Sequence, residues 1–377
     1  MKGELGILRL GCTRNADPRL GKLRFPTFRN RNETTHRTKP GKLRAGKAQM
    51  SALSPLETLE ADEAAMIAEM TDILSRKMQR DYAVGATRRD AHPKTVGLLR
   101  GTFRIEPGLP AALRVGVFAR ARSYKCWVRA SNASGKIQSD AARDARGFAL
   151  KLMAPAGKGA AEVSLGQDFV LMNSPVMPLG TIKLFRDAIY YAIESSPLLL
   201  GAKLLLTGQA GVLLGLLALR SKPNSPLDIR YWSTTPYRLG PDQAVKYSLL
   251  PTSTYHSPQP TTVGDTYLSE AMHTHLAEHE ASFDFCVQLR KGQMPIEDAG
   301  PRWSERKSPF VKVATLQIPK QDFGSKKRQE VAESLSFSPG HALPAHAPLG
   351  GLNRARVAIY TALSAFRHAR DGRADLA

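Results

Sequence analysis

Cysteine is scarce in this 377-residue chain: Cys12, Cys126 and Cys286 stand apart with no CxxC pair. That argues against a disulfide framework and a thiolate metal site, and it points to a reducing, cytoplasmic setting. The first residues hold no apolar run ending in a small-residue cleavage site, and the last three, Asp-Leu-Ala, are no peroxisomal address, so neither secretion nor peroxisomal import is expected. Basic residues are not interleaved with aromatics as they are in nucleic-acid grooves, so no nucleic-acid partner is expected. No internal repeat is evident. Long uncharged apolar runs are also missing, because Lys203, Gln209 and four glycines interrupt the most apolar stretch, Leu198 to Leu219. A span needs about 20 nearly uncharged residues, so a buried or lid helix is the favoured reading, with contact to a membrane surface or lipid substrate behind it. His273, His275 and His279 form HxHxxxH without the glutamate of HExxH, and Leu276 and Ala277 suit an ordinary surface helix; no metal site is expected there.

Positive charge is abundant. Lys and Arg number 54 against 33 acidic residues, a net charge of +21. Residues 1–49 hold 13 basic and 3 acidic residues and so carry +10 of it. With little hydrophobic periodicity, that segment is expected to be disordered, either as a basic targeting segment or, the favoured reading, as residues preceding a working protein that begins at Met50. The remainder, 42% hydrophobic over the whole chain, can build a substantial core as one large or two ordinary domains.

From Ser54 the pattern turns helical. Ser54-Pro55-Leu56-Glu57 reads as a capping box, followed by Leu59, Ala65, Met66, Met70, Ile73 and Leu74 on one stripe of an amphipathic arm. Short runs rich in β-branched and aromatic residues follow at 101–105, 114–118, 124–129, 147–152 and 168–172, then at 228–232, 244–250, 283–289 and 311–318. Strands at this spacing, joined by Gly, Pro, Asn and Ser turns, predict an antiparallel sheet or barrel in an α+β fold, interrupted by helices over 180–220.

The last helix, Asn353 to Arg370, lies between a Gly350-Gly351 turn and an Asp371-Gly372 stop. Arg356, Tyr360 and Arg367 are spaced by four and seven residues, so they share one face. A tyrosine one turn from an arginine has a stabilised phenolate, a hard donor suited to ferric iron.

Four segments then combine: Arg89-Asp-Ala-His92-Pro-Lys-Thr-Val-Gly97; Val128-Arg129-Ala-Ser131-Asn132 with Arg143-Asp144-Ala-Arg146-Gly147-Phe148-Ala149-Leu-Lys151; Met172-Asn173-Ser174-Pro175; and the helix bearing Arg356, Tyr360 and Arg367. In order and relative position they resemble the haem catalase superfamily, from about Arg89 to Arg367, and the length resembles its small catalase-related branch. The resemblance implies a catalase-like antiparallel β-barrel with an N-terminal helical arm (50–84), a barrel region over 85–330, and a wrapping segment over 331–377 that ends in the proximal helix. It implies haem b held by Tyr360 as axial ligand, with Arg356 keeping the phenolate charged and Arg89, Arg129 and Arg367 on the propionates. His92 would be the distal acid–base, Ser131 its orienting partner, and Asn173 a donor to the peroxide. The implied activity is catalase or peroxidase chemistry on hydrogen peroxide or an organic hydroperoxide, with homo-oligomers open. An isomerase or lyase of the allene oxide synthase type and a non-catalytic haem-binding protein are the alternatives. Two departures from the family, Ala91 before the histidine and Met177-Pro178 in place of phenylalanines, remove bulk near the distal face.

Overall fold

β-branched and aromatic residues suit a pleated surface, and the computed structural model, which describes residues 53–154 and 164–373, places nine strands in one antiparallel sheet. They are β1 (Thr95–Ile105), β2 (Ser123–Asn132), β3 (Arg146–Met153), β4 (Ser164–Met172), the two-residue β5 (Tyr231–Trp232) and β6 (Tyr237–Arg238), β7 (Ala244–Pro251), β8 (Ala281–Leu289) and β9 (Val311–Ile318). The order β5-β4-β3-β2-β1-β9-β8-β7, closed by a β5–β7 pairing, makes an eight-stranded barrel with β6 as an extra strand. The expectations for residues 1–49 and for a start at Met50 lie outside the described residues.

Successive side chains on a strand point to opposite faces, and this alternation decides what the barrel holds. Phe148, Leu150 and Leu152 of β3 belong to the interior core, as do Val128 and Ala130 of β2 and Phe169 and Leu171 of β4. Aromatic rings fill that interior: Phe103 meets Phe285 edge-on with centroids 5.0 Å apart, and Phe169 meets Tyr247 in the same way at 5.0 Å. The barrel is a packed core, so a binding site must lie outside it. Helices α1 (Glu63–Asp81), α2 (Ile182–Ile193) and α7 (Gly351–Asp371) pack together through Met66, Met70, Ile182, Ala355 and Ile359. Four further helices precede α7 in the chain: α3 (Pro197–Leu206) and α4 (Ala210–Ala218) after α2, then α5 (Tyr267–Glu278), and α6 (Lys326–Ser334) between β9 and α7. Among the described residues no helix is long and apolar enough to cross a membrane.

Local pattern misleads at three places. Residues 114–118, predicted as a strand, run from the cap of one 3₁₀ turn (Ala111–Leu113) through a second (Gly116–Phe118), where Gly116 has φ +54° and a Cβ would sit 2.3 Å from His346 Nε2. The strand predicted over 228–232 shrinks to Tyr231–Trp232, where Asp228 instead accepts from the Ser257 amide at 2.8 Å. The Ser54 amide does donate to the Glu57 carboxylate at 3.2 Å, but α1 begins only at Glu63. Glu57 is drawn elsewhere, accepting from the Gly350 amide at 2.8 Å and from Arg354 at 2.5 Å.

Arg354 also grips Glu63 at 2.6 Å and Glu297 at 3.0 Å, tying the N-terminal arm to the start of α7. Both Glu57 and Glu63 side chains are only 7% exposed. Removing one partner of a buried ion pair leaves an uncompensated charge, at a cost of roughly 3–5 kcal/mol. The Arg354→Ala variant is therefore expected to lose about that much stability in urea denaturation; a loss near zero would show that the cluster is solvated.

Candidate functional site

The outward-facing residues of β2, β3 and β4 and the helices α1, α2 and α7 enclose a cavity of about 610 Å³. Arg129, Ser131, Gly147, Ala149 and Val170 form its strand wall, one strand face by alternation. Arg356, Tyr360, Leu363, Ser364 and Arg367 form its α7 wall, on the face predicted by their spacing. Leu74 and Met78 of α1 and Phe185 and Ile189 of α2 make an apolar side.

His92 sits at the strand wall with φ +57°, a left-handed backbone that few residues other than glycine adopt. Three contacts impose it. The ring Nδ1 lies 3.0 Å from Ser131 Oγ, the His92 carbonyl accepts from Arg129 at 2.6 Å, and Gly147 leaves room for the ring. A Cβ on Gly147 would stand 2.6 Å from His92 Nδ1 and 2.8 Å from Ser131 Oγ, so only glycine fits. Burial, then the charges of Arg129, Arg356 and Arg89, push the imidazole down to about 3. It is therefore neutral at physiological pH, with Nδ1 occupied by Ser131.

The arginines form two groups. Arg89 and Arg367 reach the C-terminal end of α6: Arg89 donates to the carbonyls of Ala332, at 2.7 Å, and Leu335, while Arg367 donates to those of Glu333 and Leu335. Unpaired carbonyls and the helix dipole make such an end electronegative. Arg129, 5% exposed, donates to Thr95 Oγ1 at 2.8 Å and to the His92 carbonyl but pairs with no carboxylate among the described residues. Burial and the charges of Arg89 and Arg367 lower its proton affinity. Glu333, 3.4 Å from Arg89, offsets part of that effect, and the three guanidiniums together still leave positive charge on this side of the cavity.

Buried Arg356 is the other group. It donates to Thr235 Oγ1 at 3.0 Å and Asn353 Oδ1 at 2.9 Å, and its guanidinium carbon is 5.7 Å from the Tyr360 ring centre. Burial works against its charge, but Tyr360 and Tyr237 more than compensate and raise its pKa.

Seven of the eight residues singled out in the sequence thus line one cavity: Arg89, His92, Arg129, Ser131, Arg356, Tyr360 and Arg367. Asn173 does not. Its Oδ1 accepts from the Arg146 amide at 2.7 Å and its Nδ2 donates to Ser221 Oγ at 2.8 Å, joining β3 and β4 to the segment after α4. Met177 and Pro178 do not line the cavity; Pro178 lies against Gly215, and Phe185 and Ile189 supply apolar side chains to the cavity. His273 stacks on Phe323, whereas His275 and His279 share Tyr255, His279 stacked on its ring and His275 edge-on to it, with buried His275 also facing the Glu280 carbonyl.

Sequence reading passed over His341 and His368, which also line the cavity. His341 Nδ1 is 2.9 Å from Asp168 Oδ2, and Asp168 is held 3.0 Å from Lys151, both fully buried. Lys151, which ends the Arg143–Lys151 string, was the available signal for this group. His368 Nε2 is 2.9 Å from Arg367, and nothing in its local sequence marks it.

No family model and no curated protein sequence matches this chain. Solved structures do. A fungal catalase superposes with a TM-score of 0.60 at 17% identity, covering 78% of this chain and 61% of that one. Catalase A from Saccharomyces cerevisiae gives 0.59 at 16%, with 78% and 63% covered, and a bacterial catalase gives 0.59 at 16%, with 85% and 64% covered. The chain spans less than two thirds of the length of each of these catalases. The closed antiparallel barrel, the helical N-terminal arm and the tyrosine-bearing last helix packed outside it make this a catalase-like fold.

Proposed function

We propose that this chain is a haem-dependent hydroperoxidase. The observation that carries the reading is the cavity itself: a neutral histidine held by Ser131, a tyrosine beside a buried arginine, and a buried Arg129 with no ion pair among the described residues all open onto it. The residues fit haem b. A cavity of about 610 Å³ with mostly apolar walls is within the range of ligand sites, about 300–1,000 Å³. Tyr360 would supply the oxygen donor to the iron, and Arg89, Arg129 and Arg367 would pair with the propionates, for which guanidinium forks are suited. Bound there, haem would supply the iron redox chemistry that a peroxide requires.

The rest of the chemistry belongs to the chain. His92, kept neutral, takes the proton from one peroxide oxygen and returns it to the other as the leaving group departs, a task for a single well-placed imidazole. Ser131 fixes the ring through Nδ1 and so leaves Nε2 for that proton. Arg356 sets a buried positive charge beside the Tyr360 ring, 5.7 Å from its centre. Ser131, Arg129 and Gly147 together hold His92 in a backbone conformation it would not choose alone.

One observation favours an organic hydroperoxide over hydrogen peroxide. Asn173 spends its amide on Arg146 and Ser221, so polarising the peroxide falls on His92, while Leu74, Met78, Phe185 and Ile189 offer an apolar tail a surface to lie on. Haem-reconstituted protein given each substrate decides between them. Rapid oxygen release from hydrogen peroxide identifies a catalase; consumption of a fatty-acid hydroperoxide with little oxygen release identifies lipid-hydroperoxide chemistry, and an inert holoprotein refutes both.

The depressed His92 pKa also predicts how stability varies with pH. Folded, this group protonates at about 3, against an ordinary 6.5. Between those values the unfolded chain binds a proton that the folded one does not, so stability is lost as pH falls from about 6.5 toward about 3. At roughly 1.4 kcal/mol per pKa unit the loss amounts to a few kcal/mol. Urea midpoints of haem-free protein should fall over this window, and His92→Gln should flatten the fall; parallel curves for the two proteins would refute the assignment.

A further inference from the structure

Residues 195–227 contain no acidic residue and three basic ones, Lys203, Arg220 and Lys222. They include the α3–α4 hairpin, whose exposure runs against its composition. α4, AGVLLGLLA, is apolar on every side, a pattern that belongs in a core or in lipid, yet not one of its residues is buried. α3 buries only Leu204 and is pinned to α2 by Lys203, which pairs with Asp187 at 2.6 Å. Leu198, Leu199, Leu205, Leu206, Leu214 and Leu217 are all exposed, Leu206 at the hairpin turn to 89% and Leu198 to 84%. Single exposed leucines are ordinary; six within residues 198–217 make a patch that calls for an apolar partner.

The charges around it indicate which partner. Arg143 donates to the Arg220 carbonyl at 3.5 Å, just past the C-terminal end of α4. Arg143, Arg220 and Lys222 are exposed, and none pairs with a carboxylate among the described residues. On the α2 side Tyr190, 40% exposed, presents an amphipathic ring of the kind found at membrane–water boundaries. At 1.5 Å per residue α3 and α4 are about 15 and 13 Å long, roughly half the hydrocarbon thickness, so they suit lying in a membrane surface and not crossing it.

We propose that the α3–α4 hairpin docks this protein on an anionic lipid surface. Its leucines enter the boundary of the acyl chains, and Arg143, Arg220 and Lys222 meet the acidic headgroups. The proposal stands apart from the haem reading and is tested without turnover.

The test uses the full chain with Cys12→Ser, so that the remaining native cysteines, Cys126 and Cys286, are both buried. An environment-sensitive fluorophore on Leu206→Cys is titrated with vesicles of phosphatidylcholine mixed with phosphatidylglycerol. A blue shift is expected, absent for the same label at Val311→Cys, a β9 position 37% exposed. Replacing Arg143, Arg220 and Lys222 by glutamine should raise the lipid needed for half the shift by about five-fold per charge. Because the label reports insertion at the hairpin itself, binding through the basic residues 1–49 would not imitate it. No shift at position 206, or an equal shift with phosphatidylcholine alone, would overturn the proposal. A shift that appears without vesicles and grows with protein concentration would identify a second copy as the occupant and overturn it as well.

Discussion

The Tyr360→Phe variant is expected to fold and to lose its hold on haem. The substitution deletes one oxygen from a half-buried side chain at the cavity wall, so the packing of α7 against α1 and α2 through Ile359 and Ala355 is untouched. What it removes is the phenol oxygen that would hold the iron, on a ring whose centre lies 5.7 Å from the Arg356 guanidinium carbon. Losing an outer-shell partner already costs a metal site about 10–100-fold in affinity, and losing the ligand itself should cost more. Haem stoichiometry and the optical spectrum after gel filtration check this. Full occupancy with an unaltered spectrum would remove Tyr360 as the ligand and leave Arg356 without its proposed role.

The second large effect is expected at His92. His92→Ala should retain haem, since the residues assigned to hold it are Tyr360, Arg356, Arg89, Arg129 and Arg367, yet lower peroxide consumption by roughly 10²–10⁴-fold, the usual contribution of a positioned acid–base group. Asn173→Ala is the informative contrast. Its amide bonds lie between Arg146 and Ser221, outside the cavity, so it should lower stability by about 1–3 kcal/mol through the unsatisfied Arg146 amide and change the rate little. Haem-loaded His92→Ala that consumes peroxide at the wild-type rate would end the proposed mechanism. A collapse in rate for Asn173→Ala with stability preserved would return that residue to the cavity.

The two variants also mark where sequence reading was strong and where it was weak. Arg356, Tyr360 and Arg367 could be placed on one face because helical periodicity is local, and α7 runs from Gly351 to Asp371 between Gly350 at φ +89° and Gly372 at φ +61°. The strand expected over 124–129 stops short of Ser131, but β2 runs on to Asn132 and its alternation puts both Arg129 and Ser131 on the cavity wall. Asn173 follows β4 directly, where strand alternation no longer fixes the direction of a side chain, and partners distant in sequence took its amide.

By itself, then, the sequence determined the elements whose period is short: the helical arm, most of the strands, and the face of the last helix that carries tyrosine and two arginines. Tertiary structure alone decided the rest. It gave the second carboxylate oxygen of Glu57 to Gly350 and Arg354 while the first still meets the Ser54 amide, and it seated His346 where a Cβ would stand at Gly116. It set His92 in a left-handed backbone because Ser131, Arg129 and the bare Cα of Gly147 meet there. Each of these depends on contacts between residues far apart along the chain, for which no local periodicity exists.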